Sequence, residues 1–425
     1  MRAEVTVIGL DGGVPGEEAR TALGRARFAA GAARHLDAVA PHLPAGAERR
    51  TLGALGPVLD ELAEWDGPAV VLASGDPGFF GVLRALRERG AEPAAVLPAV
   101  SSVAGAFARI GLPWDDAVVV SAHGRAESGR SAHRALAAAL AHPKAAVLTA
   151  PGTAGPEAFL PALVAAGRLV YVAQRLGGPG EAVRAVGPQD AGRTDWAHPN
   201  VVLAVDPERA VAPAVAWMPG HQGAPDGWAL PEEAFAHRDS MISKAEVRAV
   251  ALARLAPRPG TEVWDIGAGS GSVAVECARF GARAVAFEAA ARDCERIRAN
   301  ARAHRVYVEV REGRVPDSLP GRAAPDAVFL GGGGDAAAAA CVRRFRPGRV
   351  VAALASVDRI RTVHDLLAAE GYRVGGTQVQ ASRLAPLPNG SLRFAAANPV
   401  TLLWGTAGPG GPGETGPAGI EERWR

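Results

Sequence analysis

The stretch Val263-Trp264-Asp265-Ile266-Gly267-Ala268-Gly269-Ser270-Gly271-Ser272-Val273 constrains this chain most. Its apolar start predicts a strand, glycine then stands at every second position, and a helix follows. Glycines tolerate positive φ and let a ligand approach the backbone. In a parallel α/β sheet such a turn lies at the carboxyl end of its strand, beside the free N–H groups of the next helix, where these sheets bind ligands. Glu288 ends the next apolar run, Ala284-Val285-Ala286-Phe287, in position to accept hydrogen bonds from ribose hydroxyls. Together these features indicate a nucleoside cofactor. The alternating glycines, preceded by Asp265, differ from the dinucleotide pattern G-x-G-x-x-G. A carboxylate there repels a pyrophosphate and attracts the sulfonium and ammonium charges of S-adenosylmethionine, which is therefore the expected cofactor.

Two α/β units are expected. Residues 1–205 alternate short apolar runs with helices: Val5–Ile8, Ala69–Ala73, Val118–Ser121, Ala146–Thr149, Leu169–Ala173 and Val201–Val205 read as strands of one largely parallel sheet. Residues 206–240 recur in proline and glycine and read as a linker or surface-wrapping segment. Residues 241–405 form the second unit. Ser243-Lys244-Ala245-Glu246 reads as a capping box opening its first helix, and later strands are expected at Val306–Val310, Ala327–Leu330, Val350–Leu354 and Val400–Trp404. Residues 406–425 are rich in glycine and proline and expected to be disordered.

Composition excludes several classes. The net charge of +2 gives no electrostatic footprint for nucleic acid. Cys277, Cys294 and Cys341 show no metal or disulfide spacing. No run is long and apolar enough to span a bilayer, and the N-terminus enters a strand without a signal-peptide pattern. A soluble, cytoplasmic, metal-free protein is the expectation. Lys144 and Lys244 are the only lysines; every other basic residue is arginine, whose fork suits carboxylates.

The ordered motifs resemble a known fusion. Ser243-Lys244-Ala245-Glu246-Val247-Arg248, the glycine loop, Phe329-Leu330-Gly331-Gly332-Gly333 and Asn398-Pro399-Val400 are similar to one branch of the class I (Rossmann-like, seven-stranded) methyltransferases. Gly75-Asp76-Pro77-Gly78-Phe79-Phe80-Gly81, Pro98-Ala99-Val100-Ser101-Ser102 and Ser121-Ala122-His123-Gly124-Arg125 resemble the tetrapyrrole methylase (class III) fold. In this order, over residues 3–405, the chain resembles the precorrin-6Y C5,15-methyltransferases (decarboxylating) of cobalamin biosynthesis.

That resemblance implies methylation of precorrin-6Y at C5 by the first unit, and C15 methylation with loss of the C12 acetate carboxyl, giving precorrin-8X, by the second. Two S-adenosylmethionine sites per chain follow. In the second unit Asp265, Gly267, Ala268, Gly269 and Gly271 would line the cofactor loop, Glu288 would hold the ribose, and Gly313 and Arg314 would lie near the adenine. In the first, Gly9 and Leu10 match the family's first loop, although Gly9-Leu10-Asp11-Gly12-Gly13 lacks its fuller G-x-G run. Gly75, Asp76 and Pro77 match the cofactor loop, with Ser101 and Ser102 opposite; Asp76 either bonds the cofactor or caps the helix after it. The catalytic candidates are His123, a titratable side chain whose alternative is a bond to a backbone carbonyl, Arg125, able to pair with a substrate carboxylate, and Lys244, a cation at a helix start where the dipole disfavours it. The substrate is a polycarboxylate macrocycle, so arginines should ring its site, with Arg343, Arg344, Arg346, Arg349, Arg359, Arg361, Arg383 and Arg393 available. Homo-oligomers are implied by the family alone. An RNA methyltransferase is the alternative function, against which the near-neutral charge counts.

Overall fold

The computed structural model describes residues 4–52, 55–122, 128–210, 220, 227–238, 242–321 and 324–408. The chain folds as two compact units, the first comprising the residues up to Ala132 and Lys144–Ala210, the second His133–Pro143 and the residues from 217 on.

In the first unit β1 (Glu4–Leu10), β2 (Phe28–Gly31), β3 (Glu48–Thr51), β4 (Pro68–Ser74) and β5 (Ala95–Leu97) form an all-parallel sheet in the order β3-β2-β4-β1-β5. A second sheet contains β6 (Val118–Ser121), β7 (Lys144–Leu148), β8 (Leu169–Gln174), β9 (Ala182–Val186) and β10 (Asn200–Val205) in the order β6-β7-β10-β8-β9. Only β6 and β7 are parallel there; the other three pairings are antiparallel. The expectation of one largely parallel sheet is thus corrected: it describes the first five strands only. The connection from Gln174 to Ala182 explains part of this. It is too short for a crossover helix and carries Gly177, Gly178 and Gly180, so β8 and β9 pair as a hairpin. Strand β2, Phe-Ala-Ala-Gly, has little β propensity of its own and is a strand because all four residues are buried between β3 and β4.

The second unit is doubly wound. Strands β11 (Glu262–Ile266), β12 (Arg283–Glu288), β13 (Val308–Glu312), β14 (Ala327–Leu330) and β15 (Arg349–Leu354) are parallel. After β16 (Tyr372–Val379), β17 (Ser382–Pro386) and β18 (Leu392–Ala396) pair as a separate hairpin. Strand β19 (Val400–Ala407) inserts antiparallel between β15 and β16, giving the order β13-β12-β11-β14-β15-β19-β16. Strand order reverses at β11, so the crevice beyond its carboxyl end is the ligand position. Cores form on both faces, one around Val263, Val273 and Ile297, the other around Trp264, Phe287 and Phe345.

Two local expectations change. The capping box does not form: Lys244, not Ser243, is the N-cap of the helix Ala245–Leu255, and no side chain of that cap bonds the helix. Glu232 instead accepts the Ala245 N–H at 2.8 Å, and Glu246 is held by Arg383. Glu232 and Glu246 share Arg383, which holds the Glu232 carboxyl down at about 2. The segment expected as a linker also contributes to the second unit. Phe235 is in its core, and Glu276 accepts the Leu230 N–H at 2.8 Å. Of the expected tail, residues 409–425 lie outside the described residues, and β19 continues to Ala407.

Because a depressed carboxyl adds stability above its unfolded pKa and loses it as pH falls through the folded value, the Glu232 contribution should disappear between about pH 4.5 and pH 2. Arg383→Met is expected to shift acid unfolding of the second unit to higher pH, read by circular dichroism; an unchanged acid limb would show that Arg383 is not what depresses Glu232.

Candidate active sites

In the second unit the glycine loop is fastened before any ligand arrives. The N–H groups of Gly267 and Ala268 both donate to the Phe287 carbonyl of the neighbouring strand, at 2.9 and 3.1 Å. Gly267, Gly269 and Gly271 all have positive φ, at 68°, 54° and 71°. A Cβ on Gly267 would lie 2.6 Å from Gly332 Cα, and one on Gly271 would lie 2.7 Å from the Ile297 side chain. These two glycines therefore answer to packing against the loop after β14 and against the helix Ala291–Ala303. Gly269 ties the loop to the next strand: its N–H donates to Glu288 Oε2 at 2.9 Å.

Glu288 is half-buried at the end of β12 and also accepts the N–H groups of Ala289 and Ala290, at 2.8 and 3.0 Å. Three donors leave one acceptor position on a carboxylate that can take about four, enough for one ribose hydroxyl. Gly313 donates to the Glu288 carbonyl at 2.9 Å, which brings Gly313 and exposed Arg314 to the same edge. Asp265 is 2% exposed, and its Oδ2 accepts the Ala274 N–H at 3.1 Å. Burial pushes its carboxyl up to about 7; the Ala274 N–H opposes this and the Glu288 charge adds to it. The sequence suggested a standing negative charge. The structure shows instead a buried carboxyl bonded to the helix Ser272–Arg279 through the Ala274 N–H.

In the first unit the ends of β1, β4 and β5 converge. Gly75 donates to the Leu10 carbonyl at 2.7 Å, and Ala99 donates to the Gly75 carbonyl at 3.2 Å. A Cβ on Gly9 would lie 2.0 Å from Gly75 O, and one on Gly75 would lie 2.9 Å from Ser101 Cα. Glycine is thus required at both positions by backbone contact. Asp76 neither caps a helix nor is free: its Oδ1 accepts the Gly78 N–H at 2.8 Å, closing a turn within its own loop, and the helix Val82–Arg87 starts later, at Gly81. Pro77 is buried in that turn. Ser101 caps the helix Ser102–Ile110, accepting the Ala104 N–H at 3.2 Å. An open cavity of about 640 Å³ lies along Gly9, Leu10, Glu17, Pro98 and Val100, within the range of small-ligand sites.

Gly12 was not singled out by any motif. A Cβ there would lie 2.3 Å from the Gly177 carbonyl group, so the first loop abuts the β8–β9 turn. The glycine cluster at 177–180 was the available signal. Lys244 takes the N-cap position described above and is half-buried. His123 and Arg125 lie outside the described residues. Among the described residues no group of three or more His, Cys, Asp or Glu is arranged to hold a metal, and no helix is long and apolar enough to cross a membrane.

Glu288→Ala should weaken S-adenosylmethionine binding at the second unit at least about 10-fold, since each bond to a charged acceptor contributes roughly 1.5–3 kcal/mol. Calorimetric titration measures this, and unchanged affinity would remove Glu288 from the ribose site.

Comparison with known proteins places both units. Residues 17–189 match the family model for tetrapyrrole (corrin/porphyrin) methylases, and residues 233–406 match that for the precorrin methyltransferase domain. A precorrin-6Y C(5,15)-methyltransferase (decarboxylating) of Sinorhizobium sp is 36% identical over 366 residues, covering 83% of each chain. Two shorter relatives each match part of the chain. A probable cobalt-precorrin-6B C(15)-methyltransferase (decarboxylating) of Pyrobaculum calidifontis is 31% identical over 36% of this chain and 84% of its own. A cobalt-precorrin-7 C(5)-methyltransferase of Salmonella typhimurium is 32% identical over 37% of this chain and 76% of its own. With both family models matched in sequence order, and a relative 36% identical over 83% of each chain, the chain belongs to the family of precorrin-6Y C(5,15)-methyltransferases (decarboxylating).

Proposed function

We propose that the chain methylates precorrin-6Y twice from two separate S-adenosylmethionine sites: at C5 in the first unit, and at C15 with decarboxylation of the C12 acetate in the second. The observation that carries this reading is that each unit independently closes a glycine-bearing loop at the carboxyl edge of its own parallel strands. Relatives named for one activity each, and matching little more than a third of this chain, support the division.

S-adenosylmethionine supplies an electrophilic methyl group for in-line displacement. The protein's part is orientation and exclusion of water. Glu288 fixes the ribose, Gly269 keeps the loop flat enough for close approach, and Asp265 supplies charge beside the cationic end. The attacking carbon belongs to an electron-rich macrocycle, and the conjugated ring accepts electrons as CO₂ leaves, so no strong protein base is demanded. Cytoplasmic location and self-association belong to the same reading; sedimentation tests the latter. No observation favours RNA as substrate. Mass spectrometry after incubation with precorrin-6Y and S-adenosylmethionine should show two methyl gains and one CO₂ loss; a product lacking the CO₂ loss would contradict the reading.

The Asp265 carboxyl gives a pH signature. With its value near 7 before binding, a cation beside it favours the ionised form. Binding at the second unit should release a proton below pH 7, and affinity should rise from pH 6 to about 7.5 and then level. Asp265→Asn should flatten this profile in calorimetry; an unaltered profile would show that Asp265 does not face the cofactor's charge.

A further inference from the structure

Beside the Gly75 loop stands a polar cluster with no part in the account above. Ser74 is the last residue of β4, and β2 is the neighbouring strand. Three residues beyond the end of β2, Arg34 turns its Nη2 to Ser74 Oγ at 2.9 Å. His35 Nε2 lies 3.2 Å from the same oxygen. His35 is 9% exposed, and its Nδ1 is buried without a partner. Burial, reinforced by the Arg34 charge, lowers its pKa to about 4, so the ring is neutral at neutral pH. In the tautomer protonated at Nδ1, Nε2 accepts the Ser74 hydroxyl proton while Ser74 Oγ accepts from Arg34. The order Arg34 to Ser74 to His35 holds the guanidinium in one orientation.

Arg34 is exposed, and among the described residues no carboxylate pairs with it; its one side-chain bond is the one to Ser74. It stands at the carboxyl edge of the parallel sheet on the β2 side of the Gly75 loop, whereas the cavity opens on the β1–β5 side. The same loop displays an apolar surface. Phe79 and Phe80 are 37% and 53% exposed with ring centroids 5.0 Å apart, and Phe80 holds φ at 53°. Positive φ in a bulky residue is strained and persists where the surroundings impose it, often at ligand sites. A cation bonded to Ser74 at the start of this loop, and two exposed aromatic rings five and six residues further along it, suit a ligand that is flat and apolar on its face and anionic at its rim.

We propose that Arg34, oriented by Ser74 and His35, pairs with a peripheral carboxylate of the tetrapyrrole in the first unit, an assignment that rests on the functional reading above. Arg34 is thus a substrate-binding residue and Ser74 a positioning residue. In the full chain, Arg34→Gln should raise KM for the tetrapyrrole in C5 methylation about 10- to 100-fold. The corresponding kcat should stay within about twofold, and affinity for S-adenosylmethionine and thermal midpoint should be unchanged. Arg34→Lys should recover part of the loss, and Ser74→Ala should raise KM by a smaller factor. The assignment is overturned if Arg34→Gln leaves KM within twofold of an active wild type, or if its effect falls on cofactor affinity or stability instead. If the wild type itself transfers no methyl group to precorrin-6Y, the functional reading falls first.

Discussion

Gly269→Arg is expected to abolish CO₂ loss and one methyl gain while the other methyl gain continues. Gly269 holds φ at 54°, a region that costs a residue with a Cβ about 1–2 kcal/mol. Its N–H is bonded to Glu288 Oε2 at 2.9 Å. An arginine there strains the loop and sets a guanidinium within reach of Glu288, the group proposed to hold the ribose. The second unit's turnover should fall at least about 10³-fold, because methyl transfer depends on a near-attack arrangement that the side chain displaces. Continued CO₂ release from this variant would contradict the assignment of decarboxylation to the second unit.

Gly9→Val should produce the reciprocal loss. A Cβ on Gly9 would stand 2.0 Å from Gly75 O and 2.7 Å from Ala99 N, both main-chain atoms. Neither neighbour can rotate away as a side chain would, so the β1, β4 and β5 ends must separate. Overpacking of this kind costs about 1–3 kcal/mol or more. C5 methylation should drop at least about 100-fold, and CO₂ loss should proceed at the wild-type rate, since Glu288 and the 267–271 loop belong to the other unit. Product masses distinguish the two variants; loss of both activities in each would show that the units do not work separately.

The two glycine loops were legible because their demands act on residue type. Positive φ at Gly267, Gly269, Gly271 and Gly75 and backbone contact at Gly9 exclude a Cβ, and the end of β12 sets Glu288 against the Gly269 N–H. The second sheet of the first unit was less legible. Its apolar runs say that Val170 or Val202 is buried, but nothing in them says which way a strand runs. The capping box misled for a related reason: Glu232, distant in sequence, accepts the Ala245 N–H at the helix start, and Arg383 draws off the Glu246 carboxylate that the box would have used. Asp265 lies within β11, ahead of the loop, and its burial, and with it the rise of its pKa, is a tertiary property that the sequence does not carry. Arg34 and His35 carried no signal at all, since an Arg-His pair at a helix start is ordinary until Ser74 is seen beside it.

The central claim is that one chain holds two methyl-donor sites. Calorimetric titration of the full chain with S-adenosylmethionine tests it most directly. Two sites per chain are expected in the wild type and one in each of Gly269→Arg and Gly9→Val; a single site in the wild type would overturn the two-site reading.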